Sequence, residues 1–133
     1  MKAIDIAATG MSAQNERLKI IAQNIANADS VATTPGGDPY QRKTISFKTI
    51  FDRALGADKV VVDRVGYDSA PFDKSYDPTH PAADEEGYVL RPNVNTLIEM
   101  TDMREAKASY QANLSVIEVT KNMVLRTLEL LRV

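Results

Sequence analysis

The chain has 133 residues, 44% of them hydrophobic and 26% charged, which is an ordinary composition for one globular-sized domain. Its formal net charge of −2 and pI near 5.4 exclude the basic field that phosphate neutralisation requires, so nucleic acid is not an expected partner. Cysteine is absent, which removes disulfides, thiolate metal sites and cysteine nucleophiles together.

No stretch approaches the roughly 18–20 apolar residues of a membrane span. The opening residues Met1 to Gly10 are interrupted by Asp5 before an apolar signal core can build up, so no cleaved secretory signal is expected. All six prolines and five of the six glycines lie between Pro35 and Pro92. Both ends are therefore almost free of helix breakers, and the chain reads as helix, irregular middle, helix.

In the first segment Ile4, Met11, Leu18 and Ile25 recur every seven residues, and Ala7, Ile21 and Ala28 each fall three positions after a member of that series. This is a heptad seam, with Asn15, Glu16, Arg17 and Lys19 on other faces and an expected helix end between Asn27 and Ser30. Gly10 reads as a weak point costing about 1 kcal/mol relative to alanine.

The middle offers short alternating or β-branched runs at Gln41 to Phe47, Lys59 to Val65 and Tyr88 to Leu90, which predict a small β-rich insert. Thr33 to Pro39 and Asp77 to Pro81 are loops by composition. His80 is the lone histidine and lies in one of them. Asp73, Asp77, Asp84, Glu85 and Glu86 lack EF-hand spacing and read as a solvated acidic loop. Gly36 and Gly37 lack the context of a phosphate loop and read as turn formers. Asn113-Leu114-Ser115 is formally a glycosylation sequon, but it falls inside a predicted helix.

From Asn93 to Val133 there is neither glycine nor proline, enough for a helix of roughly 60 Å at about 1.5 Å per residue. Met103, Tyr110, Ile117, Val124 and Leu131 repeat every seven residues, and Met100, Leu114 and Leu128 form a second series interrupted by Lys107 and Lys121. Thr96 followed by Glu99 fits a capping box, placing the helix start near Asn95 or Thr96. Asn27 and Asn95 suit helix caps. Asn24 and Asn113 fall inside helices, where asparagine has poor propensity, and are candidates for fixing register.

The fold expected is mainly α: long N- and C-terminal helices forming a coiled-coil-like pair around a small β-rich or irregular insert. The boundaries are 1–30, 31–92 and 93–133 within one structural domain. The expected assembly seam is Ile4, Met11, Leu18, Ile21, Ile25, Met100, Met103, Tyr110, Leu114, Ile117, Val124, Leu128 and Leu131. No catalytic residue, metal ligand, cofactor or small-molecule substrate is expected.

The stretch Ala8 to Ser30 carries Thr9-Gly10-Met11-Ser12-Ala13, then Leu18, then Asn24-Ile25-Ala26-Asn27, and resembles the N-terminal signature of flagellar rod and hook proteins. Gly87-Tyr88-Val89, Pro92-Asn93-Val94-Asn95, Glu99-Met100 and Ser109-Tyr110-Gln111-Ala112-Asn113 resemble the FlgC-like proximal-rod group. One departure is Ser30-Val31 followed by a Pro-Gly-Gly loop, where many axial proteins continue with Thr and then Gly-Tyr. The resemblance implies a structural subunit of the bacterial flagellar basal-body rod in the periplasm, exported by the flagellar type III apparatus without a cleaved signal. It implies polymerisation through the terminal helices, transmission of motor torque to the hook, and partners among other rod proteins, copies of itself and the inner-membrane ring with its export apparatus. The competing readings are a soluble coiled-coil adaptor or secretion chaperone, a small enzyme using an acidic loop pair and, within the family, the sister proximal-rod protein.

Overall fold

The computed structural model describes residues 2–132. Helix α1 (Lys2–Ala26) is followed by strands β1 (Lys43–Asp52), β2 (Ala57–Tyr67), β3 (Asp73–Tyr76) and β4 (Tyr88–Arg91), and helix α2 (Thr96–Leu130) closes the order. Helix α1 ends at Ala26, one residue before the expected span. The Asn27 amide N–H and its side-chain Nδ2 both donate to the Gln23 carbonyl, at 3.1 and 2.8 Å, and Ser30 Oγ donates to Asn27 Oδ1 at 3.1 Å. Among the described residues no non-glycine residue has a positive φ, so this end is closed by a side chain and not by a left-handed residue.

The capping box expected at α2 is not formed. Asn95 Oδ1 accepts from the Leu97 and Ile98 amides at 3.0 and 3.4 Å, which makes Asn95 the N-cap and moves the third helical position to Ile98. Glu99 turns away from the helix end, into the interior.

Strands β1 and β2 pair as a two-stranded sheet, and β3 and β4 as another. The first hairpin turns at Arg53–Gly56, where Gly56 has φ +70° and its N–H donates to the Asp52 carbonyl at 2.7 Å; only glycine adopts that backbone without strain. Asp52 organises the turn, its Oδ1 accepting from the Leu55 amide at 3.1 Å and its Oδ2 from Lys59 Nζ at 2.7 Å. The Lys59 hydrogen bond, followed by the Leu55 amide, holds the Asp52 carboxyl below its usual range. The folded hairpin thus favours the ionised form, and this contribution is present above the unfolded carboxylate pKa and disappears as pH falls through the lowered folded value. Asp52→Asn is expected to speed exchange of the Leu55 amide relative to wild type near pH 6, with the difference shrinking as pH falls through the lowered folded value of Asp52.

Strand β3 was not anticipated, because Asp-Lys-Ser-Tyr carries no strand periodicity. It is held by its partner in antiparallel register, Asp73 opposite Arg91, Lys74 opposite Leu90, Ser75 opposite Val89 and Tyr76 opposite Tyr88. The two tyrosine rings pack edge to face with centroids 5.4 Å apart, a favourable cross-strand pair. Gly87 returns the loop at φ +87°, and Asp84 Oδ1 accepts from the Glu86 and Tyr88 amides.

The internal contacts gather into two units. The first holds the chain up to Leu18, Ser46–Arg64 and everything from Arg104 onward. Its buried apolar residues are alanines, Ala7, Ala13 and Ala106, which let helix backbones approach closely. Arg17 pairs with Glu105 at 3.6 Å, and the Val60 amide donates to Thr9 Oγ1 at 3.4 Å. The second unit holds Lys19–Ile45 and Val65–Met103, and buries Ile20, Ile21, Ala82 and Val89 together with two polar side chains, Asn24 and Glu99.

Candidate functional site

Two features stand out, one at the surface of the first unit and one inside the second. In the first, α2 turns Tyr110, Asn113, Ile117, Thr120 and Val124 toward its partly covered side, with Ala106 fully buried. These positions alternate by three and four residues, the spacing of a helix seam. Small and polar members disguised half of this series in the sequence. Of the expected seam, Tyr110, Ile117 and Val124 lie on this side, while Leu114, Leu128 and Leu131 are exposed in the free subunit. Ile4, Met11 and Leu18 are half-buried on α1.

Opposite Asn113 lies Gly10. A Cβ built on Gly10 would stand 2.8 Å from Asn113 Nδ2 and 3.1 Å from its Cγ and Oδ1, while that Nδ2 donates to the Ser109 carbonyl at 3.1 Å. Gly10 is therefore a close-approach position, and its helix-propensity cost is offset by the contact it permits. Gly10→Ala is expected to destabilise the subunit by about 1 kcal/mol, overpacking outweighing the propensity gain. In an Asn113→Ala background the same change should turn stabilising, and a denaturant double-mutant cycle reads the change of sign.

Beyond the seam, α2 exposes further large apolar side chains: Val116, Val119, Met123 and Leu130 along one side, and Leu125 and Leu128 toward another. Met123 is 64% exposed. Ala3, Thr120, Met123, Val124, Thr127 and Leu128 line a shallow apolar groove. Gln111, Ser115, Glu118, Asn122, Arg126 and Glu129 form one polar arc at helical spacing, while Lys121 and Thr127 lie on other sides of the helix. The apolar side chains of α2 thus extend beyond what the inner seam alone accounts for.

In the second unit Asn24 is 1% and Glu99 0% exposed. Asn24 Oδ1 accepts from Tyr40 Oη at 2.7 Å and from the Lys43 amide at 2.9 Å. Its Nδ2 donates to the Lys43 carbonyl at 2.9 Å and to Glu99 Oε2 at 3.4 Å. Arg42 Nε donates to Glu99 Oε1, and the guanidinium reaches Asp68 at 3.3 Å and Asp102 at 3.8 Å. Asn93 holds the same segment from another direction, its Oδ1 accepting from the Arg42 amide at 2.7 Å and its Nδ2 donating to the Asp68 and Ala70 carbonyls at 3.0 Å. Burial alone would lower the Arg42 pKa, but the hydrogen bond and charge of Glu99 raise it above the usual arginine value. Tyr40 is raised by burial first and by the Glu99 charge second.

The N-terminal motif residues divide here. Asn24 is buried, Ile25 and Asn27 are half-buried and Ala26 is exposed. Ile21 is buried, Met103 half-buried and Met100 exposed. Of the C-terminal motif, Pro92 is buried, Asn93 and Ser109 half-buried, and Asn95 and Gln111 exposed. Sequence reasoning missed Tyr40, Arg42 and Asp68, because nothing local marks a residue whose partners lie tens of positions away. His80 uses its Nδ1 to accept from the Ala82 amide at 3.0 Å, a turn-forming role. Among the described residues no group of three or more acidic, histidine or cysteine side chains is placed to hold a metal, and no helix is long and apolar enough to cross a membrane.

A family model described as flagella basal body rod protein matches residues 4–32, and one described as flagellar basal body rod FlgEFG protein C-terminal matches residues 85–130. The class is thus that of flagellar rod proteins, with α2 inside its matched segment and α1 inside its own from Ile4 onward. At the level of single relatives, the chain is 50% identical over 127 residues to the flagellar basal-body rod protein FlgC of Agrobacterium fabrum, covering 96% of this chain and 91% of that one. It is 42% identical over 126 residues to FlgC of Escherichia coli O6:H1, covering 95% and 93%, and 33% identical over 142 residues to FlgC of Bacillus subtilis, covering 96% and 95%. The chain belongs to the FlgC family of flagellar basal-body rod proteins.

Proposed function

We propose that this rod subunit joins the proximal rod through its two terminal helices, which pair in coiled-coil fashion and pack against helices of neighbouring copies and of other rod proteins. The observation that carries this reading is the run of exposed large apolar side chains on the second half of α2, the kind of surface that marks a contact with another protein. Contacts between different patches of successive subunits do not close on themselves, and so build a helical tube.

The assembled tube carries torque from motor to hook. The role is structural and involves no catalysis. Export through the flagellar apparatus without a cleaved signal, contact with the inner-membrane ring and a periplasmic position complete the proposal. An adaptor or secretion chaperone would use similar stripes, but the family match over nearly the whole chain favours the rod.

The seam itself supplies the test. Ile117→Asp places a carboxylate in the apolar contact at a cost of several kcal/mol, so swimming and incorporation into purified basal bodies should be lost. Glu118→Lys, about 100° around the helix, should cost within about 0.5 kcal/mol and leave both intact. Normal rods carrying Ile117→Asp, with the protein verified as present, would refute assembly through this seam.

A further inference from the structure

Asn24 is the first asparagine of the Asn24-Ile25-Ala26-Asn27 motif, and its side chain is saturated. The amide has two donors and two acceptor positions, and all four are engaged within the subunit: Tyr40 Oη and the Lys43 amide on Oδ1, the Lys43 carbonyl and Glu99 on Nδ2. At 1% exposure, no group remains for a neighbour to read. By pairing with both the N–H and the C=O of Lys43, the side chain acts as a one-residue strand partner, tying the chain that enters β1 to helix α1. Glu99, on α2, closes the same cluster against Arg42. Asn24, Glu99 and Val89 are the largest fully buried side chains among the described residues, so two of these three are polar and bonded to each other.

We infer that Asn24 and Glu99 are internal positioning residues: they clamp Lys19–Ile45 and Val65–Met103 into a fold complete in the free subunit, before any neighbour is met. The motif thereby separates into an inward half, Asn24, and an outward half containing the exposed Ala26. Only asparagine supplies two donors and two acceptors on so short a stem. Aspartate would set a second anion beside Glu99 and face the Lys43 carbonyl without a donor, and alanine would leave a part-buried amide, carbonyl and hydroxyl without their partner at once.

This inference does not depend on the assembly reading, because it concerns the unpolymerised chain. Amide exchange of a verified monomer tests it. Two amides are followed: Lys43, bonded to Asn24, and Asp77, which donates to the Gly87 carbonyl at 2.9 Å at the far end of the second hairpin. In Asn24→Ala both should exchange at least about tenfold faster, because loss of the clamp lowers the opening free energy of the whole unit. Tyr40→Phe, which removes only one hydroxyl, should move both in the same direction by a smaller factor. It remains readable if Asn24→Ala does not fold. Asn27→Ala is the control and should leave Asp77 unchanged.

Acceleration at Lys43 with Asp77 unchanged, in Asn24→Ala or in Tyr40→Phe, would reduce Asn24 to a local bond and overturn the inference. Unchanged exchange at both amides in Asn24→Ala, with incorporation into rods abolished, would overturn it in favour of a role between subunits.

Discussion

Glu99→Ala is expected to destabilise the free subunit by about 3 kcal/mol, the largest single-residue effect anticipated for the folded monomer. The carboxylate is wholly enclosed and meets Arg42 and Asn24. Truncation removes two charge-assisted bonds, leaves a cavity, and strands a guanidinium whose side chain is only 25% exposed. Asp68 and Asp102 remain within reach of that guanidinium at 3.3 and 3.8 Å, which holds the cost at the lower end of the range for broken buried pairs. Glu99→Gln keeps the volume and still accepts from Arg42, so it should cost about 1 kcal/mol. Urea unfolding of the two variants measures the difference, and near-wild-type stability of Glu99→Ala would mean that Arg42 is fully served by Asp68 and Asp102.

Alkaline titration probes the same cluster from another side. Tyr40 is held above its usual pKa by burial and then by the Glu99 charge, so the fold favours the neutral phenol. Its contribution is complete below the unfolded tyrosine value, about 10, and is lost as pH rises through the raised folded value.

The gross plan of the chain was legible because it rests on short-range signals. Proline, and every glycine but Gly10, fell in the middle and left two helices, and Asn27 and Asn95 marked their inner ends through local capping. What stayed hidden depended on distant partners. Glu99 sits three residues after Thr96, where a capping box is the local reading. Its actual partner, Arg42, lies 57 positions away and outcompetes the helix end because a buried carboxylate needs a cation. Gly10 read as a helix weakness because propensity is a property of one helix, while its reason is Asn113 on another. On α2, periodic large apolar residues marked a seam, but Ala106, Asn113 and Thr120 share its covered side because close packing there requires small or compact side chains. Strand β3 has no periodicity of its own and forms only because β4 is beside it.

Met123→Glu should leave the monomer within about 0.5 kcal/mol of wild type, since that side chain is 64% exposed and faces solvent in the free subunit. In a rod the same position is expected to be covered by a neighbouring helix, where an unpaired carboxylate costs several kcal/mol for every subunit added. Because that penalty recurs at each addition, a change invisible in the monomer should abolish incorporation. Asn122→Glu introduces the same side chain one position earlier, about 100° around the helix, on the arc shared with Glu118, Arg126 and Glu129, and should be tolerated. Unlike Ile117, Met123 lies outside the partly covered side of α2, so a loss of assembly here cannot be attributed to a damaged subunit. Thermal melts of both purified variants establish that they are folded, and recovery of each with basal bodies from a strain lacking the wild-type chain reads incorporation. If Met123→Glu and Asn122→Glu are incorporated equally, the outward stripe of α2 is not a contact between subunits, and the rod must be held by the inner seam and the N-terminal helix alone.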